Sequence, residues 1–169
     1  MKKALVVYYS FSNGNTKSIA EKLASALGAD IERIDTVVPY PPYKGSDSPV
    51  VSQGNDEVQR GYCPEIKPLS VNPYDYEVVA VGTPTWWYTM APAMHTFLKS
   101  KDWKDKVVIP FMTHGGWPGH VIEDIKKNCA GADFAEAMQI QFDSQGGSDM
   151  QTKESDIDKW IEKMKGVCN

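Results

Sequence analysis

A chain of 169 residues with 41% apolar and 24% charged side chains has the composition of one folded domain and is too short for two ordinary ones. Its net charge of −4 supplies no basic footprint for a phosphate backbone, so nucleic acid is not an expected partner. No apolar run approaches the roughly 20 residues that span a bilayer, so no membrane association is expected either.

Lys3 to Tyr9 is a nearly continuous apolar run closed by the turn formers Ser10, Ser12, Asn13 and Gly14, the pattern of a strand buried on both faces of a parallel sheet. The run is too short and too soon interrupted to be a signal peptide, and the expected location is the cytoplasm. From Thr16 the period changes: Ile19, Leu23 and Leu27 recur every four residues, Ala20 and Ala24 lie beside them, and Gly28 stops the helix. Asp30 to Ile34 adds a short strand, completing a βαβ unit. Tyr76 to Gly82 and Lys106 to Met112 repeat the buried-strand composition. Helical spacing covers Ala91 to Lys99 and Gly119 to Cys129, each after a strand. Ala137 to Phe142 reads as a fifth strand, and Lys153 to Lys165 as a closing helix with Ile157, Trp160, Ile161 and Met164 on one face.

This alternation predicts a doubly wound α/β fold: a five-stranded parallel sheet with right-handed crossovers and helices on both faces, one domain over residues 1–169. Ligands of such folds bind at the C-terminal ends of the strands, beside the switch in strand order. The segment from Thr36 to Asp75 is long for a connection and rich in Pro and Tyr, with a short helix around Val50 to Arg60 interrupted by Gly54. It reads either as an irregular crossover over one sheet face or as a wall that brings Tyr40, Tyr43 or Tyr62 to a site. Cys63, Cys129 and Cys168 have neither CxxC nor Cys/His metal spacing, and read as reduced bystanders with no metal role.

The chemistry is expected at three strand ends. After the first strand, Ser10-Phe11-Ser12-Asn13-Gly14-Asn15-Thr16 offers hydroxyls, amides and a glycine at a helix N-terminus. Backbone N–H groups and the helix dipole can hold a phosphate there without a cation; the alternative is a helix cap and a turn with no ligand. The loop is neither Walker A nor GxGxxG, which argues against ATP and NAD at this position. The third strand runs into Thr83-Pro84-Thr85-Trp86-Trp87-Tyr88 and the fourth into Thr113-His114-Gly115-Gly116-Trp117-Pro118-Gly119. Tryptophans in such loops can stack a planar ring, and glycines let the backbone reach its polar edge. One of Trp86 and Trp87 can equally pack under its loop, with the other facing ligand. His95 and His120 read as packed or hydrogen-bonded structural residues, and Asp143 to Asp149 as a loop before the last helix.

These three segments resemble the flavodoxin-like FMN-binding family over almost the whole chain. The resemblance implies that Ser10, Ser12, Asn13, Gly14, Asn15 and Thr16 form the phosphate loop. It places Thr83, Pro84, Thr85, Trp86, Trp87 and Tyr88 beside the isoalloxazine, and Thr113, His114, Gly115, Gly116, Trp117 and Gly119 in the last flavin loop. The Thr-Pro-Thr-Trp-Trp stretch is similar to the bacterial flavodoxin-like reductases. A response-regulator receiver is excluded because Tyr8-Tyr9-Ser10 and Gly82-Thr83 stand where its acidic residues belong, and a low-molecular-weight phosphatase because the first loop has neither Cys nor Arg.

With FMN as cofactor, no catalytic side chain is required of the protein. Two functions follow: a one-electron carrier that docks on redox partner proteins, or an NAD(P)H-dependent reductase of quinone-type electrophiles. An FMN-free interaction module is the third reading, opposed by the intact hydroxyl-rich loop. The tryptophans serve a homodimer interface as readily as a ligand, and the sequence leaves that open.

Overall fold

The computed structural model describes all residues from Met1 to Asn169. Strand β1 (Ala4–Tyr8) is buried along its whole length and is followed by α1 (Asn15–Leu27) and β2 (Asp30–Arg33). Then come α2 (Pro49–Gln59), β3 (Val78–Trp86), β4 (Thr89–Met90), α3 (Pro92–Lys99), β5 (Val107–His114) and α4 (Val121–Asn128). The chain closes with β6 (Asp133–Phe134), β7 (Met138–Gln141) and α5 (Glu154–Cys168). The sheet runs β2-β1-β3-β5, and β6 and β7 both lie parallel to the far side of β5. The strand expected over Ala137 to Phe142 is β7, and the two-residue β6 is an additional strand that pairs with the start of β5. Apart from the small antiparallel β4, all pairings are parallel.

The continuous apolar strands are explained by two core clusters, one on each sheet face. Val6 and Tyr8 of β1 point to the face covered by α1 and α5, where Ile19, Leu23, Ile157 and Met164 pack. Leu5, Val7 and Tyr9 point to the other, against Met94, Phe97 and Leu98 of α3 and Val121 and Ile125 of α4. Each fully buried large apolar side chain contributes about 2 kcal/mol relative to exposure, so the alternation along β1 anchors both helical layers. α1 ends as its pattern predicts, with Gly28 left-handed at φ 59° and the Ala29 N–H donating to the Ala24 carbonyl at 3.0 Å.

From β1 the chain crosses to β2 on one side and returns past β1 to β3 on the other. Strand order therefore reverses beside β1, and the C-terminal ends of β1 and β3 open the crevice where ligands of this class bind. β3 departs from expectation by continuing through Thr83-Pro84-Thr85-Trp86 and folding back on β4, with Trp86 paired to Thr89 and Thr85 to Met90. What reads as a loop is a two-residue hairpin.

The long segment after β2 is tied down by the Thr36–Ile66 bridge, and its helix α2 covers the crevice. Gly54 does not break α2. A Cβ at that position would lie 3.1 Å from the Trp86 ring and 3.4 Å from Trp87 Nε1. Glycine lets the helix lie directly on the hairpin aromatics.

Candidate functional site

The loop between β1 and α1 is shaped by Ser12 and Gly14, both left-handed at φ 54° and φ 72°. Gly14 precedes the helix without any side-chain cap, so the helix end is left to other partners. Lys17 N–H donates to Ser10 Oγ at 3.2 Å and Ser18 N–H to the Gly14 carbonyl. The N–H groups of Ser12, Asn13, Gly14, Asn15 and Thr16 have no acceptor in the chain. Five consecutive free donors at the positive end of a 13-residue helix form an anion cradle. Thr16 is not free: its hydroxyl, buried, bonds the Thr113 hydroxyl at 2.8 Å and locks α1 to the end of β5.

Aromatic side chains form the opposite wall. Trp86 is partly buried and meets Tyr9, Phe11 and Tyr40 edge-on at centroid distances of 6.0, 5.5 and 5.0 Å. Trp87 and Tyr88 occupy the turn itself, at φ 50° and 69°, and are 41% and 55% exposed. Trp86 is therefore the packed tryptophan and Trp87 the presented one. Thr83 lies completely buried below; its hydroxyl donates to the Pro84 carbonyl and accepts from Ala91 N–H, which fixes the hairpin base.

The turn is held from outside by the loop after β5. Gly119 is left-handed, and a Cβ there would fall 2.1 Å from the Tyr88 carbonyl oxygen. The adjacent His120 N–H donates to that oxygen at 2.8 Å. His114 Nδ1 accepts from Gly116 N–H at 3.0 Å, and burial holds the imidazole below its ordinary value; the ring is neutral with Nε2 as its donor.

A third loop completes the enclosure. Both oxygens of Asp143 are used: Oδ1 accepts from the N–H groups of Gln145 and Gly147 and Oδ2 from that of Asp149, at 2.9–3.1 Å. Those bonds hold its carboxyl below the usual carboxylate range. The coiled loop is clasped by the cradle, since Asn13 donates to the Gly146 carbonyl and Asn15 to the Gly147 carbonyl. The two asparagine side chains are engaged in that clasp, which leaves the backbone N–H groups behind them as the free donors of the loop.

Between these parts lie two adjoining clefts. A cleft of about 550 Å³ is mostly polar, lined by Ser12, Asn15, Pro84, Thr85, Thr113, His114, Gly115 and the Asp143–Gly147 loop. The other, about 490 Å³, is mostly apolar, with Tyr43, Val50, Val51, Trp87, Tyr88 and Trp117 around it. Phe11, Thr85, Trp86 and Gly115 are among the residues that line both, together with Ser12 and Tyr43. Neither lining contains a Lys or Arg. Of the residues the sequence singled out, Ser10, Asn13, Gly14, Thr16, Thr83, Gly116 and Gly119 lie outside both linings; Asn13, Gly14 and Thr16 belong to the cradle through their N–H groups, while the side chains of Ser10, Thr16 and Thr83 and the turn at Gly119 hold the frame. Tyr43 lines both clefts, Tyr40 supports Trp86, and Tyr62 lies elsewhere. The Asp143 loop, Ser46, Val50 and Val51 escaped the sequence reading; Asn13 and Asn15 carry no mark of the loop they clasp.

The family model for flavodoxin matches residues 3–164. A protein from Bacteroides eggerthii DSM 20697 described as a flavoprotein is 28% identical, with 96% of this chain and 97% of that one aligned and a TM-score of 0.75. A Lactobacillus acidophilus NCFM flavoprotein, solved in complex with FMN, is 24% identical over 95% of this chain and 99% of that one, at a TM-score of 0.65. A flavodoxin, WrbA-like protein from Agrobacterium tumefaciens shares the fold at 18% identity, 100% and 96% coverage and a TM-score of 0.66. No curated protein sequence matches. From the strand order to the match along nearly its whole length, the chain belongs to the flavodoxin family.

Proposed function

We propose that this chain, acting as one domain, holds FMN across the two adjoining clefts and is an oxidoreductase working through it. The observation that carries the reading is the row of five unpaired N–H groups from Ser12 to Thr16, opening beside aromatic walls in a site with no lining cation. A phosphate joined to a flat ring fits both halves. When bound, FMN supplies electron or hydride transfer at its isoalloxazine ring.

The protein's residues do the rest. The α1 terminus offsets phosphate charge through N–H groups and the helix dipole, in place of Lys or Arg. Thr85 and Gly115, shared by both clefts, bring backbone to the polar edge of the ring. Trp87, Tyr88 and Trp117 supply stacking faces and exclude water. With Asp143 the one charged residue in the linings, negative charge on the ring gains no ionic support, which lowers its potential.

Of the two finer functions, the walls contributed by the Thr36–Asp75 segment favour the reductase. Tyr43, Ser46, Val50 and Val51 enlarge the apolar cleft into room for a second small molecule, a neutral quinone-type acceptor, with NAD(P)H as donor. The exposure of Tyr88 and Trp117 at the rim favours the carrier, which needs an open edge for a partner protein. No helix is long and apolar enough to cross a membrane, and a cytoplasmic setting is part of the proposal. Anaerobic mixing of the FMN-loaded protein with NADH or NADPH separates the two: rapid bleaching of flavin absorbance identifies a reductase, and a stable yellow protein a carrier.

A further inference from the structure

We propose that Trp86, Tyr40 and Glu57 form a relay that carries a one-electron oxidising equivalent out of the flavin-side clefts and stores it as a neutral tyrosyl radical on Tyr40. Trp86 lines both of those clefts, and an indole gives up one electron readily. The Tyr40 ring meets it edge-on at a centroid distance of 5.0 Å. The Tyr40 hydroxyl in turn donates to Glu57 Oε2 at 2.7 Å. Glu57 lines a separate cleft of about 420 Å³, which touches the flavin-side clefts only through Trp87. An oxidisable ring, a phenol and a base for the phenolic proton are thus in contact one after another, from one cleft to the next.

No other aromatic pair in the fold combines these parts. Trp103 meets Phe97 and Trp160 meets Phe111, and phenylalanine does not refill an oxidised indole. Tyr76 has a carboxylate acceptor in Asp30 but no tryptophan beside it. Tyr9 meets Trp86 at 6.0 Å, but it has no carboxylate partner. Glu57 itself is 5% exposed, on the face of α2 that carries Val50 and Gly54, where a carboxylate is costly to bury without a partner. No cation pairs with it: Arg60 of the same helix pairs with Asp56, and the Gln53 amide reaches Glu57 only at 3.5 Å. Its short bond is to Tyr40. Residues three apart share a helix face, so Gly54, which lets α2 settle on Trp86, also brings Glu57 to Tyr40. Burial and then Glu57 raise the Tyr40 phenol above its ordinary value, which keeps the proton on the phenol until the ring is oxidised.

In the relay, Trp86 gives one electron to a photoexcited flavin in the clefts, the oxidant of the step. Tyr40 then gives one electron to Trp86 as its O–H bond breaks and the proton moves to Glu57 Oε2. Trp86 is restored, and the products are the neutral Tyr40 radical, protonated Glu57 and a flavin reduced by one electron. Return of that electron to Tyr40, with the proton from Glu57, resets the chain without a further reactant. The stacking wall of the site is thereby spared lasting oxidation. The choice of oxidant rests on the FMN reading, whereas the relay belongs to the chain itself.

Azidyl radicals made by pulse radiolysis oxidise tryptophan and test the relay in the ligand-free protein by time-resolved absorption. Indolyl absorbance should decay into tyrosyl absorbance at a rate independent of protein concentration. Tyr40→Phe should abolish that phase, and Tyr76→Phe should leave it unchanged. Glu57→Gln keeps an oxygen for the Tyr40 bond but no base, and should slow the phase by at least about 10-fold. If that variant does not fold, the wild type in D2O decides, since transfer of the phenolic proton must slow the phase there. The absence of a concentration-independent phase, indifference to Tyr40→Phe or Glu57→Gln, or an unchanged rate in D2O overturns the proposal. A flash of visible light on the FMN-loaded protein should produce the same Tyr40 radical, and bound FMN that yields none overturns the proposal as well. Failure to bind FMN with the azidyl phase intact contradicts the FMN reading and supports the relay.

Discussion

Two neighbouring strand ends build their halves of the site in opposite ways. After β1, backbone and sequence conflict little: Gly14 takes the left-handed conformation freely, the one other left-handed residue is the small Ser12 at φ 54°, and the free N–H groups form the proposed phosphate cradle. After β3 they conflict. The hairpin turn has φ above zero at both central positions, which Asn-Gly would occupy without strain, yet it carries Trp87 and Tyr88. Each bulky left-handed residue costs about 1–2 kcal/mol, and neither ring belongs to a core cluster that would offset it. The first half is made by the backbone; the second is made by side chains that the surrounding structure holds against their conformational preference.

The sharpest way to break the contrast is to release the strained turn from outside. Gly119→Ala places a methyl 2.1 Å from the Tyr88 carbonyl oxygen at a φ of 57°, and should cost about 3 kcal/mol in urea unfolding. A cost under about 1 kcal/mol would show that Gly119 does not clamp the hairpin.

In the other half, Thr16→Val leaves the buried Thr113 hydroxyl without its 2.8 Å partner. It should lose about 1–2 kcal/mol by the same measurement, while the backbone cradle keeps its ligand. Loss of FMN affinity out of proportion to stability would mean that the hydroxyl itself touches the ligand.

Tyr88→Gly should separate stability from binding. Relief of about 1–2 kcal/mol offsets the contacts of a ring that is 55% exposed, so stability should change by less than about 0.5 kcal/mol. FMN affinity, followed by fluorescence, should nonetheless drop by about 10-fold, or about 1.4 kcal/mol. Unfolding of the hairpin in this variant would contradict a turn held under strain.

The smallest effect concerns pH. The folded Asp143 carboxyl lies below its unfolded value, so its contribution is fully present above the ordinary Asp range near 4 and is lost as pH falls through the lowered value. Amide exchange of Gly147 and Asp149 should stay slow down to about pH 4 and quicken below it. In Asp143→Asn that acid-induced opening should disappear, and an unchanged pH profile would remove Asp143 as the organiser of the loop.

The same contrast explains what the sequence could show. The sheet, its two helical layers and the cradle rest on local signals: apolar runs such as Val6-Val7, the spacing of Ile19, Leu23 and Leu27, and a glycine before a helix. The extension of β3 into a hairpin was illegible because Trp87-Tyr88 violates the turn chemistry by which hairpins are read. Gly54 appears as an interruption of α2, whereas its reason lies in Trp86, far away in sequence. The Asp143 loop is marked as a loop by Gly146 and Gly147, but its clasp by Asn13 and Asn15 depends on tertiary packing.

Parallel titrations of the ligand-free protein with FMN and with riboflavin, following flavin fluorescence, weigh the two halves against each other. Riboflavin keeps the ring and lacks the phosphate. FMN should quench at one equivalent and bind at least about 100-fold more tightly, a difference of about 2.7 kcal/mol supplied by the Ser12 to Thr16 cradle. Equal affinities, or no quenching by FMN, would contradict a phosphate site at the start of α1.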